Sequence, residues 1–300
     1  MDRNPSIFRD PRQIQKTEFA ISMMADSASA FRALSLFWFS LMLFFPVACE
    51  RTPDLSTVAE TSLEIPRVVD LTYPFDERTI YWPTDTEGFR HERVFYGRTE
   101  AGYWYATFNL AASEHGGTHL DAPIHFAEGR QSVEQIPIER LVAPGVKINI
   151  SEQAGRDRDY RLTAADIAAW EAQAGRVPEN AIVLIETGWG RYWGDRLMYL
   201  GSDREGDASD LHFPGIGRDA AELLVERRVG LVGIDTASLD HGPSRDFITH
   251  QVLNGADIAG LENVANLGEL PERGFLIVAL PMKIGGGSGA PCRIVALLNR

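Results

Sequence analysis

"SEHGGTHLDAPIHF", residues 113–126, sets the reading of this chain, because three of its seven histidines and an aspartate fall between His115 and His125. On a helix, histidines four apart would share a face. Here Gly116 and Gly117 separate His115 from His119 and Pro123 follows, and such residues oppose a helix. The stretch predicts extended or turning backbone, in which His119 and Asp121, two apart, project to the same side. The glycines let the chain fold so that His115 joins them. Every buried ring nitrogen needs a partner, so imidazoles at this density point to a ligand. Two neutral imidazoles and a carboxylate suit Zn²⁺, Mn²⁺ or Fe²⁺ and leave coordination positions open for water. His125, four residues past Asp121, is a candidate proton shuttle, since an imidazole titrates near neutral pH.

Outward from this stretch, short Val/Ile/Leu-rich runs bounded by Gly or Pro read as buried strands. They are "TFNLA" near Phe108, "GVKINI" ending at Ile150, "AIVLIETG" from Ala181, "VGLVGID" ending at Asp235, "FLIVALP" from Phe275 and "RIVALL" from Arg293. At least two helices lie between them. "TAADIAAWEAQAG" opens on Thr163 as N-cap with Asp166 three residues on, and stops at Gly175. "GRDAAELLVERR" gathers Ala221, Leu224 and Val225 on one face. Strand, helix and strand from Ile182 to Ile234 form a crossover unit, interrupted by a Trp- and Gly-rich insertion at 188–217 that is too long for an ordinary connection. That insertion is expected to form part of a substrate wall. The fold class is α/β with a mixed sheet.

Three hundred residues with 44% hydrophobic content can bury a substantial core. A net charge of −13 argues against a nucleic-acid partner, whose phosphates are bound by Lys and Arg. Residues 1–48 read as a signal peptide or N-terminal hydrophobic anchor: Arg32 precedes the uncharged run "LSLFWFSLMLFFPVA", Leu34–Ala48, which has the length of a signal h-region and is short for a spanning helix. Cys49 follows at a position resembling a lipoprotein processing site, although Pro46 departs from that pattern. The expectation is an exported protein, periplasmic or membrane-anchored through a lipidated Cys49, with residues 49–66 as a polar tether. If the run is not a signal, the location is cytoplasmic. Cys49 and Cys292 are the only cysteines, so a Cys-based zinc site is excluded. "GGGSG" around Ser288 lacks the context of a nucleophile elbow, and no Gly-Lys-Ser/Thr follows to make a phosphate loop.

The pattern His115-x-x-x-His119-x-Asp121-x-x-x-His125 resembles the signature of the metal-dependent cyclase family of amide hydrolases, which includes kynurenine formamidases and isatin hydrolases. "TYPFDERTIYWP" resembles that family's N-terminal segment and "LPMKIGGGSGAPCRIVAL" its closing strands, so the likeness runs from about Val68 to Leu298 and residues 67–300 are expected to form the cyclase-like domain. The resemblance implies a swivelling β/β/α single domain and one or two Zn²⁺ or Mn²⁺ ions. It implies His115, His119 and Asp121 as ligands, His125 as general acid/base, and His250 and Glu262 as further ligands, with Asp121 and Glu262 touching both ions. Read from the residues alone, His250 and Glu262 are as well explained by a surface histidine and a helix-end carboxylate.

The implied reaction is hydrolysis of an aryl amide C–N bond, isatin-like or N-formylkynurenine-like, by metal-bound hydroxide. Trp82 is the candidate stacking surface for a planar aromatic substrate, with a core Trp as the alternative. His212 and His241 are candidates to orient a carbonyl. A homo-oligomer is expected. The competing readings are a non-catalytic exported metal- or ligand-binding lipoprotein of the same fold, and a lactone or carbamate hydrolase.

Overall fold

The computed structural model describes residues 66–85 and 87–298. The expected signal or anchor (1–48), Cys49 and all of the tether but Pro66 lie outside the described residues. The strands are β1 (Arg67–Asp70), β2 (Arg90–Arg98), β3 (Trp104–Ala111), β4 (His119–Asp121), β5 (Val142–Asn149), β6 (Arg161–Leu162), β7 (Ile182–Glu186), β8 (Gly215–Ile216), β9 (Leu231–Ile234), β10 (Ala259–Glu262), β11 (Phe275–Pro281) and β12 (Gly289–Leu298). The helices are α1 (Ile138–Leu141), α2 (Ser151–Arg156), α3 (Ala164–Ala174), α4 (Arg196–Leu200), α5 (Arg218–Glu226) and α6 (Ile248–Gly255).

Strands β5, β7, β9 and β10 pair in parallel, as crossovers through helices require, while β4, β11, β12 and β1 add antiparallel neighbours. The sheet runs β1-β12-β11-β5-β7-β9-β10-β4, and β4 pairs again with the start of β12. That last pairing closes seven strands into a barrel-like ring.

Side-chain alternation along the central strands assigns each residue to one of two cores. Ile182 and Leu184 of β7 and Leu231 of β9 point into the ring, where they meet Leu120, Leu261, Ile277 and Ile294. Val183, Ile185, Val232 and Ile234 point outward and are covered by Ile167 and Trp170 of α3, Ala221 and Leu224 of α5, and Leu253 of α6. Both faces of these strands are buried, which is why they read as unbroken apolar runs. The α3 terminus follows the expected capping box: Thr163 Oγ1 accepts from the Asp166 N–H, and the Asp166 carboxylate accepts from the Thr163 N–H.

Two expectations need correction. "TFNLA" does form a strand, but among the described residues β2 and β3 pair only with each other and no residue of either is buried. Alternation registers that a face is apolar and not what covers it. The 188–217 insertion does not face the cavity described below; it folds as a 3₁₀ turn (Trp189–Tyr192), α4 and β8. Its Trp189, Tyr199, Leu200, Leu211 and Phe213 form a third core with Ile80, and Phe213 meets Trp82 edge-on at 6.4 Å. It supports the wall from behind. Among the described residues no helix is long and apolar enough to cross a membrane.

Leu184 is fully buried inside the ring, whereas Leu197 on α4 is exposed. Leu184→Ala should cost about 2–5 kcal/mol, and Leu197→Ala should stay within about 0.5 kcal/mol. Denaturant midpoints of the two variants check this.

Candidate metal centre

The closure of the ring builds the site. Strand β4 lies between β10 and β12, with Glu262 in register with His119 and Gly289 in register with Asp121. As expected for extended backbone, His119 and Asp121 project to one side, and Glu262 comes from 143 positions away in sequence to face them. Gly117 takes φ +57, a left-handed conformation that suits glycine and turns the chain back toward His115. A side chain at Gly289 would lie 2.4 Å from the His115 ring, so its absence makes the space that ring occupies.

Five polar side chains converge here. His115 Nδ1 lies 2.6 Å from Asp121 Oδ1, and His119 Nε2 lies 3.1 Å from the same oxygen and 3.5 Å from Glu262 Oε2. His250, delivered by α6, places Nε2 at 3.3 Å from Asp121 Oδ2 and 3.2 Å from Glu262 Oε1. The rings of His115 and His119 are 5.6 Å apart and face one cavity.

The other nitrogen of each ring decides what the inner one can do. His119 Nδ1–H donates to the Gly117 carbonyl, and His250 Nδ1–H donates to Asp240 Oδ2 at 2.6 Å. The Ser288 hydroxyl donates to Glu114, so it accepts from His115 Nε2–H at 2.9 Å. All three inner nitrogens of the neutral rings therefore present lone pairs to two buried carboxylates. Acceptors facing acceptors in a buried site need cations between them. His119 Nε2 is buried and makes no hydrogen bond.

The ionisation of the groups follows. Burial pushes His119 down, but the charges of Asp121 and Glu262 outweigh it and raise His119 to about 9. Burial likewise opposes His250, and Asp121, Asp240 and Glu262 raise it well above the usual imidazole value. Asp121 falls well below the carboxylate range because the histidines overcome its burial. Glu262 is raised, by burial first and by the Asp121 charge second. Without another cation, protons fill the gaps.

Two donor groups lie within ligand reach: His115, Asp121 and His125, and His119, Asp121 and Glu262. Asp121 is common to both. Imidazole nitrogen with carboxylate oxygen is a donor set for Zn²⁺ or Mn²⁺, so the residues fit a divalent cation. The expected residues converge on Asp121 but are grouped differently from expectation: His115 and His119 fall in separate sets, His125 falls in with His115, its ring stacked on that of His115 at 3.8 Å, and His250 approaches Asp121 and Glu262 without belonging to either set. Burial holds His125 low, at about 4, with the neighbouring imidazoles adding to the effect and Asp121 opposing it.

The cavity over these groups measures about 320 Å³ and is walled by Ile80, Tyr81, Trp82, Phe126 and Phe247. Trp82 thus lines this cavity. His212 and His241 do not line the cavity. The His212 ring is tied to Asp159 at 2.8 Å, and His241 follows Asp240, which takes the inward direction. Asp240 escaped sequence reasoning, yet it accepts from the Thr249 and His250 N–H groups and from the His250 ring. It caps the first turn of α6 and fixes the His250 ring at once. Phe247, the residue before α6, was missed too; it sits at φ +48, uncommon outside glycine, with its ring in the cavity wall.

Two outcomes follow. Below pH about 9 a metal-free His119 carries a proton that an entering cation must displace. Zn²⁺ binding should therefore release protons and tighten as pH rises, which calorimetry in buffers of different ionisation enthalpy measures. Asp240→Asn should weaken Zn²⁺ binding by roughly 10–100-fold, read by competition with a chromophoric chelator.

A family model described as "Putative cyclase" matches residues 69–241. An isatin hydrolase from Roseibium aggregatum is 33% identical over 207 residues, 66% of this chain and 77% of that protein. A kynurenine formamidase from Paracidovorax citrulli is 30% identical over 187 residues, 62% of this chain and 77% of that protein. The crystal structure of an isatin hydrolase bound to the product analogue thioisatinate aligns with a TM-score of 0.72 at 30% identity, over 79% of this chain and 94% of that one. By motif, fold and site, this chain belongs to the cyclase family of hydrolase-type enzymes.

Proposed function

We propose that the chain hydrolyses the amide C–N bond of planar aryl amides, cyclic or N-acyl, with Zn²⁺ or Mn²⁺ as cofactor. The observation that carries this reading is the position of the lone-pair cluster: it forms the floor of a cavity whose walls are aromatic. Relatives named for isatin and for kynurenine formamides, both aryl amides, support the substrate class.

His115, His119, Asp121, His250 and Glu262 would hold the metal. When bound, a divalent cation supplies a Lewis acid and lowers the pKa of water toward neutrality. The remaining work falls to the chain. Phe247 approaches Trp82 edge-on at 5.9 Å and Phe126 at 5.4 Å, so a flat ring entering the cavity meets aromatic surface on more than one side. These apolar walls also exclude water from the reacting bond. His125, kept neutral by its burial, has a ring nitrogen free to take a proton from the attacking water. It then returns the proton to the leaving nitrogen. Water adds across the C–N bond, leaving a carboxylate and an aryl amine.

The test is His125→Ala, assayed on isatin and on N-formylkynurenine with metal content measured alongside. The expected result is retained metal and kcat/KM lower by about 10²–10⁴-fold. Unchanged activity would remove His125 from the mechanism. Failure of the wild-type chain, loaded with Zn²⁺ or Mn²⁺, to cleave any aryl amide would end the reading.

A further inference from the structure

The cavity above the imidazole–carboxylate cluster is charged on one side of the balance only. Among the described residues no lysine or arginine lines it, and outside the cluster it holds a single carboxylate, that of Asp85. One divalent cation on the floor would balance the charges of Asp121 and Glu262. Asp85 would then stand as the uncompensated charge of the wall.

This carboxylate is held in place. The Gly117 N–H donates to the Ile80 carbonyl at 2.9 Å, Tyr81 forms a β-bridge with Gly116, and the Ser113 hydroxyl donates to Asp85 Oδ1 at 2.6 Å. The segment that carries Trp82 and Asp85 is thereby tied to the stretch that carries His115. The approach is close: a side chain at Gly116 would lie 2.1 Å from the Tyr81 ring. A turn closed by the Asp85 N–H on the Trp82 carbonyl, at 2.9 Å, sets the carboxylate three residues past the Trp82 ring in the same wall. Its field reaches its neighbours, since the Tyr81 hydroxyl is raised to about 12, by burial first and by the Asp85 charge second. Among the described residues no basic side chain pairs with Asp85, and its Oδ2 accepts no hydrogen bond.

A fixed charge beside a cavity with apolar walls selects among ligands by their charge. An unlike charge is drawn in, while a like charge must lose water against repulsion. We propose that Asp85 is a specificity-determining residue of this cavity, favouring aryl amides whose ring carries an ammonium group and rejecting those whose ring carries a carboxylate. An ammonium or other donor on the ring would meet the open Oδ2. Neutral rings such as isatin fall between the two. The proposal rests on the aryl amide reading and narrows it to a charge class; it gives Asp85 no part in breaking the C–N bond.

Two charge series test it on the metal-loaded full chain: isatin and formanilide, each as the neutral parent and with an aminomethyl or a carboxylate group on the ring. In each series whose parent is cleaved, kcat/KM should fall from the ammonium member through the parent to the carboxylate member, by roughly tenfold across the series. Dividing by the parent's value removes differences in folding or metal content between variants. Asp85→Asn should bring the ammonium-to-carboxylate ratio close to unity, and Asp85→Lys should invert it. Added salt should shrink the wild-type ratio. Ser113→Ala removes the hydrogen bond to Asp85 and keeps its charge, so it should retain the preference. A merely structural Asp85 would leave the ratio the same in all of these proteins. The wild-type series and its salt dependence decide the matter if a variant fails to fold. A wild type that cleaves a parent yet treats the ammonium and carboxylate members alike, or a preference that survives Asp85→Lys, overturns the proposal. If neither parent is cleaved, the aryl amide reading itself fails and this proposal falls with it.

Discussion

The structure turns on one electrostatic constraint: when their rings are neutral, three imidazoles turn lone pairs toward two carboxylates in a buried site. Each outer ring nitrogen is already committed, to Ser288, to the Gly117 carbonyl and to Asp240. The rings cannot turn to relieve the conflict without breaking those bonds. A cluster of buried acceptors persists only if cations neutralise it, and the carboxylates around His119 and His250 raise both imidazoles against their burial, which favours protons in that role when no metal is bound. A divalent cation would answer the same demand with fewer particles, and His115, His119, Asp121, His250 and Glu262 would hold it.

The fold exists to hold this cluster still. Closure of the sheet puts β4 between β10 and β12, so His119, Asp121 and Glu262 are fixed by backbone pairing on both sides. His250 rides on α6, whose first turn is pinned by the Asp240 carboxylate. Glu114 accepts from the N–H groups of Ser288 and Gly289 and from the Ser288 hydroxyl, which fixes the glycine-rich loop beneath His115. Sites built on paired strands and supported by a second layer of hydrogen bonds keep their geometry better than sites on loops. The aromatic walls come from segments outside these strands, so they can vary without disturbing the imidazole–carboxylate cluster.

Much of the site was legible because its signals are local. The glycines and proline of residues 113–126 exclude a helix, and the spacing of His119 and Asp121 states which side they share. The buried strands were legible for a similar reason, since strands covered on both faces read as apolar runs. What escaped reading depends on tertiary contacts. Nothing in "DHGPS" says that Asp240 rather than His241 turns inward, and the two exchange the roles their residue types suggest. Phe247 is one aromatic among fifteen phenylalanines until α6 places it against Trp82. The strand at Phe108 looked like core because it is apolar, yet no residue of β3 is buried.

The most direct measure of the account is the metal content of the purified full-length chain by elemental analysis, set beside that of Asp121→Ala. Asp121 is common to both donor groups, so the account predicts one or two equivalents of Zn²⁺ or Mn²⁺ in the wild type and a loss of bound metal in the variant. A wild-type chain that neither carries a divalent metal nor takes one up when Zn²⁺ or Mn²⁺ is supplied would contradict it.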